Sequence, residues 1–191
     1  MTRRRIVAAA RHLFATRGYA ATSVERIASE ADVSIQTVYN SVGSKQAILT
    51  ALQELVDEAG NVPATQRAIA ASGDPHEVIS LTARLRRHLM EGAGDIVAFT
   101  QAAAGGDADV AAVYVEGQAR SRQGATRVIE RLAALGALRH DLDADAATDV
   151  AYALLHHNVW TRLVDECAWS ADEAERWYAD LLSRELLGRD A

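Results

Sequence analysis

Several side chains that can donate or accept hydrogen bonds lie close together near the N-terminus: Gln36, Thr37, Tyr39 and Asn40. Glutamine and asparagine can each make two hydrogen bonds to adenine, and threonine can touch a thymine methyl group in a major groove. These residue types favour non-covalent recognition of a polar surface rather than bond making. Whether they act together depends on the element that carries them.

Two helices are predicted before this cluster. Residues 2–17 carry apolar side chains at spacings of three and four, and Gly18 is placed to end that helix in a left-handed conformation. Thr22 and Glu25 have the spacing of a capping box, which predicts the start of a short second helix.

The polar cluster falls on a third predicted helix. Ser34 is placed to cap it and it runs to about Ser41, with Ile35 and Val38 available for the core and the polar residues facing outward. Two short helices joined by a tight turn, the second of them polar but uncharged, match what a major groove accepts.

Lys45 follows this element with a second kind of chemistry. Gly43 and Ser44 are placed to close the third helix and cap a fourth, so Lys45 falls in a first helical turn. Its ammonium group and the free backbone N–H groups can meet a phosphate together. The helix dipole alone disfavours a cation there, so an anionic partner would explain it. A lysine that simply faces solvent is the alternative.

The charge is distributed unevenly along the chain. Seven basic and three acidic residues precede position 51, a net charge of +4, whereas the remainder has 13 basic and 23 acidic residues, a net charge of −10. A positive potential confined to one end suits a polyanion such as DNA. A few exposed arginines that only keep the surface soluble would give the same count.

Residues from Arg5 to about Leu52 resemble the DNA-binding domain of the TetR family of bacterial transcriptional regulators. The matching positions are Phe14, Gly18, Tyr19, Thr22, Ile27, Ala28, Ala31, Val33, Ser34, Tyr39, Lys45 and Leu49. The resemblance implies base reading by Gln36, Thr37 and Asn40. It implies phosphate contacts from Thr22, Tyr39 and Lys45.

The pattern departs from the family after the tyrosine. Many members have a histidine and then a phenylalanine there, whereas this chain has Ser41 and Val42. Ser41 could still donate a hydrogen bond to a phosphate. Val42 buries less area than phenylalanine, so a compensating change in packing is expected.

The composition predicts an all-α fold. Only two prolines interrupt a chain of 191 residues that is rich in helix-forming residues, and no run of alternating β-branched residues is present. The fourth and later helices are predicted at Ser44 to about Ala59, Pro75–Glu91, Asp95 to about Ala104, Asp107–Leu135, Ala144–Glu166 and Ala171–Leu187. We expect a three-helix helix-turn-helix DNA-binding domain at residues 1–50 and a larger helical ligand-binding and dimerisation domain at residues 51–191.

The predicted body could form a homodimer, as the resemblance implies. Apolar residues cover more than one face of its last two helices, so one face can pack on the core and another on a partner in a four-helix bundle. The candidate interface residues are Leu155, Val159, Leu163, Trp177 and Leu181. A twofold dimer would place two reading helices about one DNA turn apart, which predicts a palindromic operator. A larger monomeric core is the alternative.

An effector pocket is also expected in the body. Its candidate lining residues are Leu85, His88, Leu89, Phe99, Tyr114, Tyr152, His156 and Trp160. Facing helices could enclose an apolar cavity with a few polar groups at these positions. Each residue taken alone is more often an ordinary core residue.

The sequence gives little support to catalysis. His156 and His157 are adjacent and point about 100° apart on a helix, so they cannot share one metal ion. Cys167 has no basic neighbour to activate it, and Gly105 and Gly106 follow no strand. No cofactor or metal site is predicted. The single cysteine, the missing signal peptide and the missing membrane span favour a cytoplasmic protein.

The function favoured by these features is a ligand-responsive transcriptional regulator, with repression preferred over activation. It would bind double-stranded DNA as a homodimer and be released by a small-molecule effector of unspecified identity. A DNA-binding regulator without a small effector is the first alternative, and an all-α enzyme is a more remote one.

Overall fold

The computed structural model describes residues 1–188 as an assembly of helices. The α-helices are α1 (Thr2–Arg17), α2 (Val24–Glu30), α3 (Ile35–Ser41), α4 (Lys45–Ala59), α5 (Val62–Ala71), α6 (Pro75–Ala103), α7 (Ala108–Ala134), α8 (Ala144–Leu154), α9 (His157–Thr161) and α10 (Ala171–Leu186). A π-helical turn at Arg162–Glu166 follows α9. Within this range the only β-type pairing is an isolated bridge between Leu138 and Leu187. The all-α prediction is confirmed.

The first compact unit consists of residues 1–56 and 93–117. Its centre is Phe14 on α1, which is 1% exposed and packs its ring against Tyr19 and Phe99 at centroid distances of 5.0 and 5.6 Å. Fully buried aliphatic side chains from α1 to α4 surround this aromatic group: Ile6, Ile27, Val38, Ile48, Leu49 and Leu52. The short helices α2 and α3 are therefore held mainly by burial of one apolar face each, because helices of this length are unstable alone.

Phe14→Ala should lower the free energy of unfolding by about 3–5 kcal/mol. The substitution removes a ring that touches two other aromatic rings and leaves a cavity among fully buried neighbours. Urea denaturation followed by circular dichroism would measure the change. Phe14→Leu, which refills most of the volume, should lose much less, and an equal loss in both variants would contradict this packing.

Within the described residues, the second compact unit consists of residues 57–92 and 118–188. One core cluster joins α6, α7 and α10 through fully buried side chains that include Ile79, Ile129, Leu132 and Leu182. A second cluster surrounds Trp160 and Tyr178, whose rings stack at a centroid distance of 6.1 Å. These units group the chain by contacts, whereas the functional boundary near residue 50 stays a prediction.

The prediction missed α5. Pro63 lies in the first turn of this helix, where its fixed φ is compatible with the helix and its missing N–H is not needed. The sequence interpretation instead treated the prolines as interruptions between helices.

The predicted helix at residues 144–166 is wrong as a single element. His156 has an extended backbone (φ −64°, ψ 138°), and its Nδ1 accepts a hydrogen bond from the Asn158 N–H. This cap marks the start of α9, and the backbone hydrogen bonds of α8 end near Leu155. A side chain that caps its own downstream backbone competes with continuous helix.

Residues 75–104 were predicted as two helices, and α6 consists of two helical segments joined at a kink, which agrees with that prediction. Ala93 has non-helical angles (φ −148°, ψ 17°). The preceding residue, Gly92, lies so close to the Ala59 side chain that a Cβ atom on it would be 2.5 Å from the Ala59 Cβ. The glycine therefore permits the close approach of α6 and α4.

Candidate nucleic-acid interface

Helices α2 and α3 form a helix-turn-helix. The N-cap of α2 is Ser23, whose side chain accepts a hydrogen bond from the Arg26 N–H, rather than the predicted Thr22. The turn places Asp32 at φ 50°, a left-handed conformation that aspartate tolerates better than most residues. Ser34 caps α3 as predicted, through a 3.0 Å hydrogen bond from the Thr37 N–H.

The outer face of α3 carries the predicted base-reading residues. Gln36 and Asn40 are exposed, and the Gln36 Nε2 donates to the Asn40 Oδ1 at 2.9 Å. The Gln36 carbonyl oxygen and the Asn40 amide N–H groups have no side-chain partner within residues 1–188. Thr37 is half-buried, with its hydroxyl 2.8 Å from the Ser34 hydroxyl. Two preorganised amides one helical turn apart can address adjacent bases.

Ile35 is a functional candidate that the sequence interpretation missed. It was predicted as a core residue, but its side chain is 42% exposed, because Val38 (0% exposed) takes the inward position on this short helix. An exposed isoleucine in the first turn of α3 lies beside Gln36 and offers a surface for a thymine methyl group. No local signal in the sequence predicts this exposure, because it depends on which residue of the short helix packs against the core.

Some of the residues predicted to contact phosphate are exposed, and others already have hydrogen-bond partners inside the protein. Tyr39 is 50% exposed, and Ser41 is half-buried at the end of α3. Thr22 is only 1% exposed, and its hydroxyl donates to the Gly18 carbonyl oxygen at 2.8 Å. The predicted phosphate role of Thr22 therefore does not agree with this conformation, in which its hydroxyl closes the turn between α1 and α2.

Lys45 lies at the start of α4 as predicted, and the Ala47 N–H donates to the Ser44 hydroxyl there. The Lys45 Nζ donates to the Tyr19 carbonyl oxygen at 2.5 Å and lies 3.8 Å from the centre of the Tyr19 ring. Burial lowers the pKa of this ammonium group. The ammonium thus has an internal partner while its charge stays close to the helix-turn-helix.

Part of the positive charge of the first unit is neutralised internally. Arg3 pairs with Glu54 at 2.8 Å, and Arg11 pairs with Asp95 at 2.5 Å. Arg4, Arg17 and Arg26 are exposed, and none of their side chains has a partner within residues 1–188. These three arginines are the basic side chains of this unit that remain available to an external anion.

The predicted pocket residues fall in both compact units. Phe99 and Tyr114 belong to the first unit, and the other six belong to the second. Within the second unit Trp160 is buried, the Tyr152 hydroxyl donates to the Gln118 Oε1 at 2.7 Å, and His88 is exposed. The pocket therefore stays a prediction, and its members are distributed over separate environments.

A groove of about 620 Å³ lies wholly within the first unit. It is lined by the aromatic rings of Phe14, Tyr19 and Phe99 and by the carboxylates of Asp95 and Asp107, with small residues between them. Of the predicted pocket residues, only Phe99 borders it.

The five predicted dimer-interface residues are all half-buried in the single chain. Trp177 packs edge-on against Trp169 and Tyr178 at centroid distances of 6.1 and 5.2 Å. Their partial exposure is the state expected of apolar residues that both support a core and meet a partner.

The stability of the second unit should depend on pH through His157. This residue is 5% exposed, and burial, helped by the neighbouring His156 and Arg86, lowers its pKa to about 4. Between about pH 6.5 and pH 4, His157 is protonated in the unfolded chain and neutral in the folded chain. Protons therefore favour the unfolded chain, and the free energy of unfolding falls as the pH drops through this range. The loss is up to about 1.4 kcal/mol per pH unit.

Urea denaturation at several pH values, repeated with His157→Gln, would measure this dependence. Glutamine keeps hydrogen-bonding groups and does not titrate, so the variant should show a shallower slope below pH 6.5. An identical slope in both proteins would contradict the assignment to His157.

Neither a metal centre nor a membrane segment is found in the described residues. No group of three or more histidine, cysteine, aspartate or glutamate side chains in residues 1–188 could hold a metal ion. No helix in the same range is long and apolar enough to cross a lipid bilayer.

The match to known proteins begins with this helix-turn-helix. Residues 6–52 match the family model described as "Bacterial regulatory proteins, tetR family". This segment contains α2, α3 and their packing partners in α1 and α4. No curated protein matches the chain.

Solved structures resemble the chain over nearly its whole length. The TetR family transcriptional regulator PfmR from Thermus thermophilus is 23% identical, with a TM-score of 0.69 and coverage of 97% of each chain. A protein from Saccharomonospora viridis in complex with choline is 24% identical, with a TM-score of 0.76 and coverage of 98% of each chain. The SmeT–triclosan complex is 19% identical, with a TM-score of 0.76, and the match covers 97% of this chain and 91% of that one. At these identities the likeness shows a common fold.

Residues 6–52 thus match the tetR family of bacterial regulatory proteins, and the whole chain shares the fold of a solved TetR family transcriptional regulator. The resemblance inferred from the sequence is thereby confirmed.

Proposed function

We propose that the chain is a cytoplasmic transcriptional repressor that binds a palindromic operator as a homodimer and is released by a small-molecule effector. The observation that carries the proposal is the exposed face of α3, where Gln36 and Asn40 present paired amides beside the exposed Ile35. We propose no catalytic role and no cofactor, because the family and the fold are those of transcriptional regulators.

Different residues of the first unit contact the bases and the phosphates of the DNA. Gln36, Thr37 and Asn40 contact base edges, and Ile35 adds an apolar contact to a thymine methyl group. Tyr39 and Ser41 donate hydrogen bonds to phosphates, which fix the orientation of α3 without reading sequence.

Charge near α3 adds affinity without sequence preference. Arg4, Arg17 and Arg26 are exposed and supply positive potential, and Lys45 adds a charge at the start of α4. Counterions released from the DNA backbone by such groups favour association with any duplex.

Effector control follows from a shift between two dimer geometries. Half-buried apolar residues near the end of the second unit, among them Val159, Leu163 and Leu181, support a self-complementary interface. Two structures of the same fold contain choline and triclosan, which supports a small-molecule effector for this chain. In one of these geometries the two α3 helices do not match successive major grooves. An effector that binds this geometry more tightly lowers the affinity for the operator.

The spacing of half-sites tests the dimer directly. Sedimentation equilibrium should give two chains per palindromic duplex. Insertion of five base pairs between the half-sites should abolish this complex, because half a turn places the sites on opposite faces of the DNA. Two chains bound equally well to the native and the lengthened duplex would contradict a rigid twofold dimer.

A further inference from the structure

The second unit contains a partly buried polar cluster that the proposed DNA contacts do not use. It consists of Arg86 on α6, His156 and His157 at the start of α9, and Tyr178 on α10. The Arg86 Nε and the Tyr178 hydroxyl are both buried, and neither has a hydrogen-bond partner within residues 1–188. Within residues 1–188 the Arg86 guanidinium makes one weak hydrogen bond, in which Nη1 donates to the Met90 sulfur at 3.8 Å.

An unpaired guanidinium in such a place is unusual. Arg86 is half-buried and its Nε is fully buried. Arginine keeps its charge at every physiological pH, and charged groups taken out of water are ordinarily paired. Arg86 forms no ion pair with any carboxylate of residues 1–188. A buried polar group without a partner therefore calls for a functional explanation.

The neighbouring arginines on α6 show that the lack of a partner is specific to Arg86. The Arg84 Nε lies 3.7 Å from a Glu175 carboxylate oxygen. Arg87 pairs with Glu91 and with Glu175, each at 3.1 Å, and also with Asp172. The nearby carboxylates are thus engaged by the more exposed guanidinium groups on either side.

The groups around Arg86 are donors rather than acids. The two histidine rings lie 4.3 Å apart, and burial is the main cause that lowers the pKa of both, so each is neutral at pH 7 and keeps one N–H. Burial raises the pKa of Tyr178 to about 12, so its hydroxyl keeps its proton. The cluster has one positive charge and several hydrogen-bond donors.

The surroundings of the cluster are apolar. The Trp160 ring stacks on Tyr178 and is 4% exposed, and Trp177 packs edge-on against the same tyrosine. A single planar guanidinium matches the two oxygens of one carboxylate. Aromatic walls beside it suit a ligand with an apolar body.

We propose that Arg86 and the Tyr178 hydroxyl hold the carboxylate of a small, largely apolar carboxylic acid, and that acids of this class are the effectors of the regulator. The second half of this statement rests on the proposed function. The first half is a binding site and can be tested without DNA.

Isothermal titration calorimetry of the full-length protein would test binding with octanoate and benzoate, each paired with its neutral amide. At least one acid should bind, and its amide should bind at least tenfold more weakly. Arg86→Met should weaken binding of the acid at least tenfold, and Tyr178→Phe should weaken it less. Arg84→Met, which removes an exposed charge from the same helix, should bind like the native protein.

The proposal is overturned if neither acid binds, if the amides bind as tightly as the acids, or if Arg86→Met binds the acid as tightly as the native protein does. Thermal unfolding without ligand gives a second readout. Arg86→Met should unfold at the same or a higher temperature, because an apolar side chain of similar length replaces a half-buried charge that has no ion-pair partner. If this variant fails to fold, the charge has a structural role and the proposal is wrong.

Operator binding separates this inference from the proposed function. Acid binding that leaves operator affinity unchanged would preserve the site and refute effector control by it. Operator binding by a protein that binds neither acid would preserve the DNA-binding function and refute the site.

Discussion

Alanine at both Gln36 and Asn40 should lower operator affinity by about 10³-fold or more, toward the affinity for random duplex. Each good bidentate contact to a base discriminates by about 1–3 kcal/mol, and a twofold dimer contains two copies of each residue. The double variant therefore loses four contacts. The two amides also hold each other at 2.9 Å, so each single variant disturbs the side chain that remains.

Fluorescence anisotropy with a labelled operator and a scrambled duplex would measure both affinities. Gln123→Ala is the matched control, because Gln123 is an exposed glutamine of the second unit. It should keep the native preference. A double variant that still prefers the operator would show that α3 does not read the bases.

Operator affinity should also fall by about 10³–10⁵-fold between 50 and 200 mM salt, if the dimer makes 6–10 phosphate contacts. The exposed Arg4, Arg17 and Arg26 and the Lys45 ammonium near the reading helix supply the charges for these contacts. Each phosphate contact contributes about 0.9 to the slope of log affinity against log salt concentration.

Arg26→Gln tests this assignment, because a dimer loses two copies of the side chain and the slope should decrease by about 1.8. Arg162→Gln, in the second unit, removes another exposed arginine and should leave the slope unchanged. Equal slopes for all three proteins would contradict a phosphate contact by Arg26.

The sequence predicted the helix-turn-helix well because its signals are local. The serine that caps α3, the glycines that close α1 and α3, and the apolar spacing all lie within a few residues of the features they determine. The exposure of Ile35 was missed because it depends on which residue of a short helix meets the core. That choice is made by the packing of Val38 against other helices.

The body was predicted less well because its important features depend on distant contacts. The break at His156 is made by a ring that caps its own backbone, a choice that periodicity does not reveal. The sequence around Arg86 does not distinguish it from the other arginines of α6. Its distinction from Arg84 and Arg87 depends on carboxylates more than 80 residues away on α10.

Selection from random duplex DNA at moderate salt tests the central claim most directly. The native protein should enrich a palindrome whose half-sites are centred about 10 base pairs apart, and the Gln36→Ala, Asn40→Ala protein should enrich none. The account is contradicted if the native protein enriches no motif, or if the double variant enriches the same palindrome.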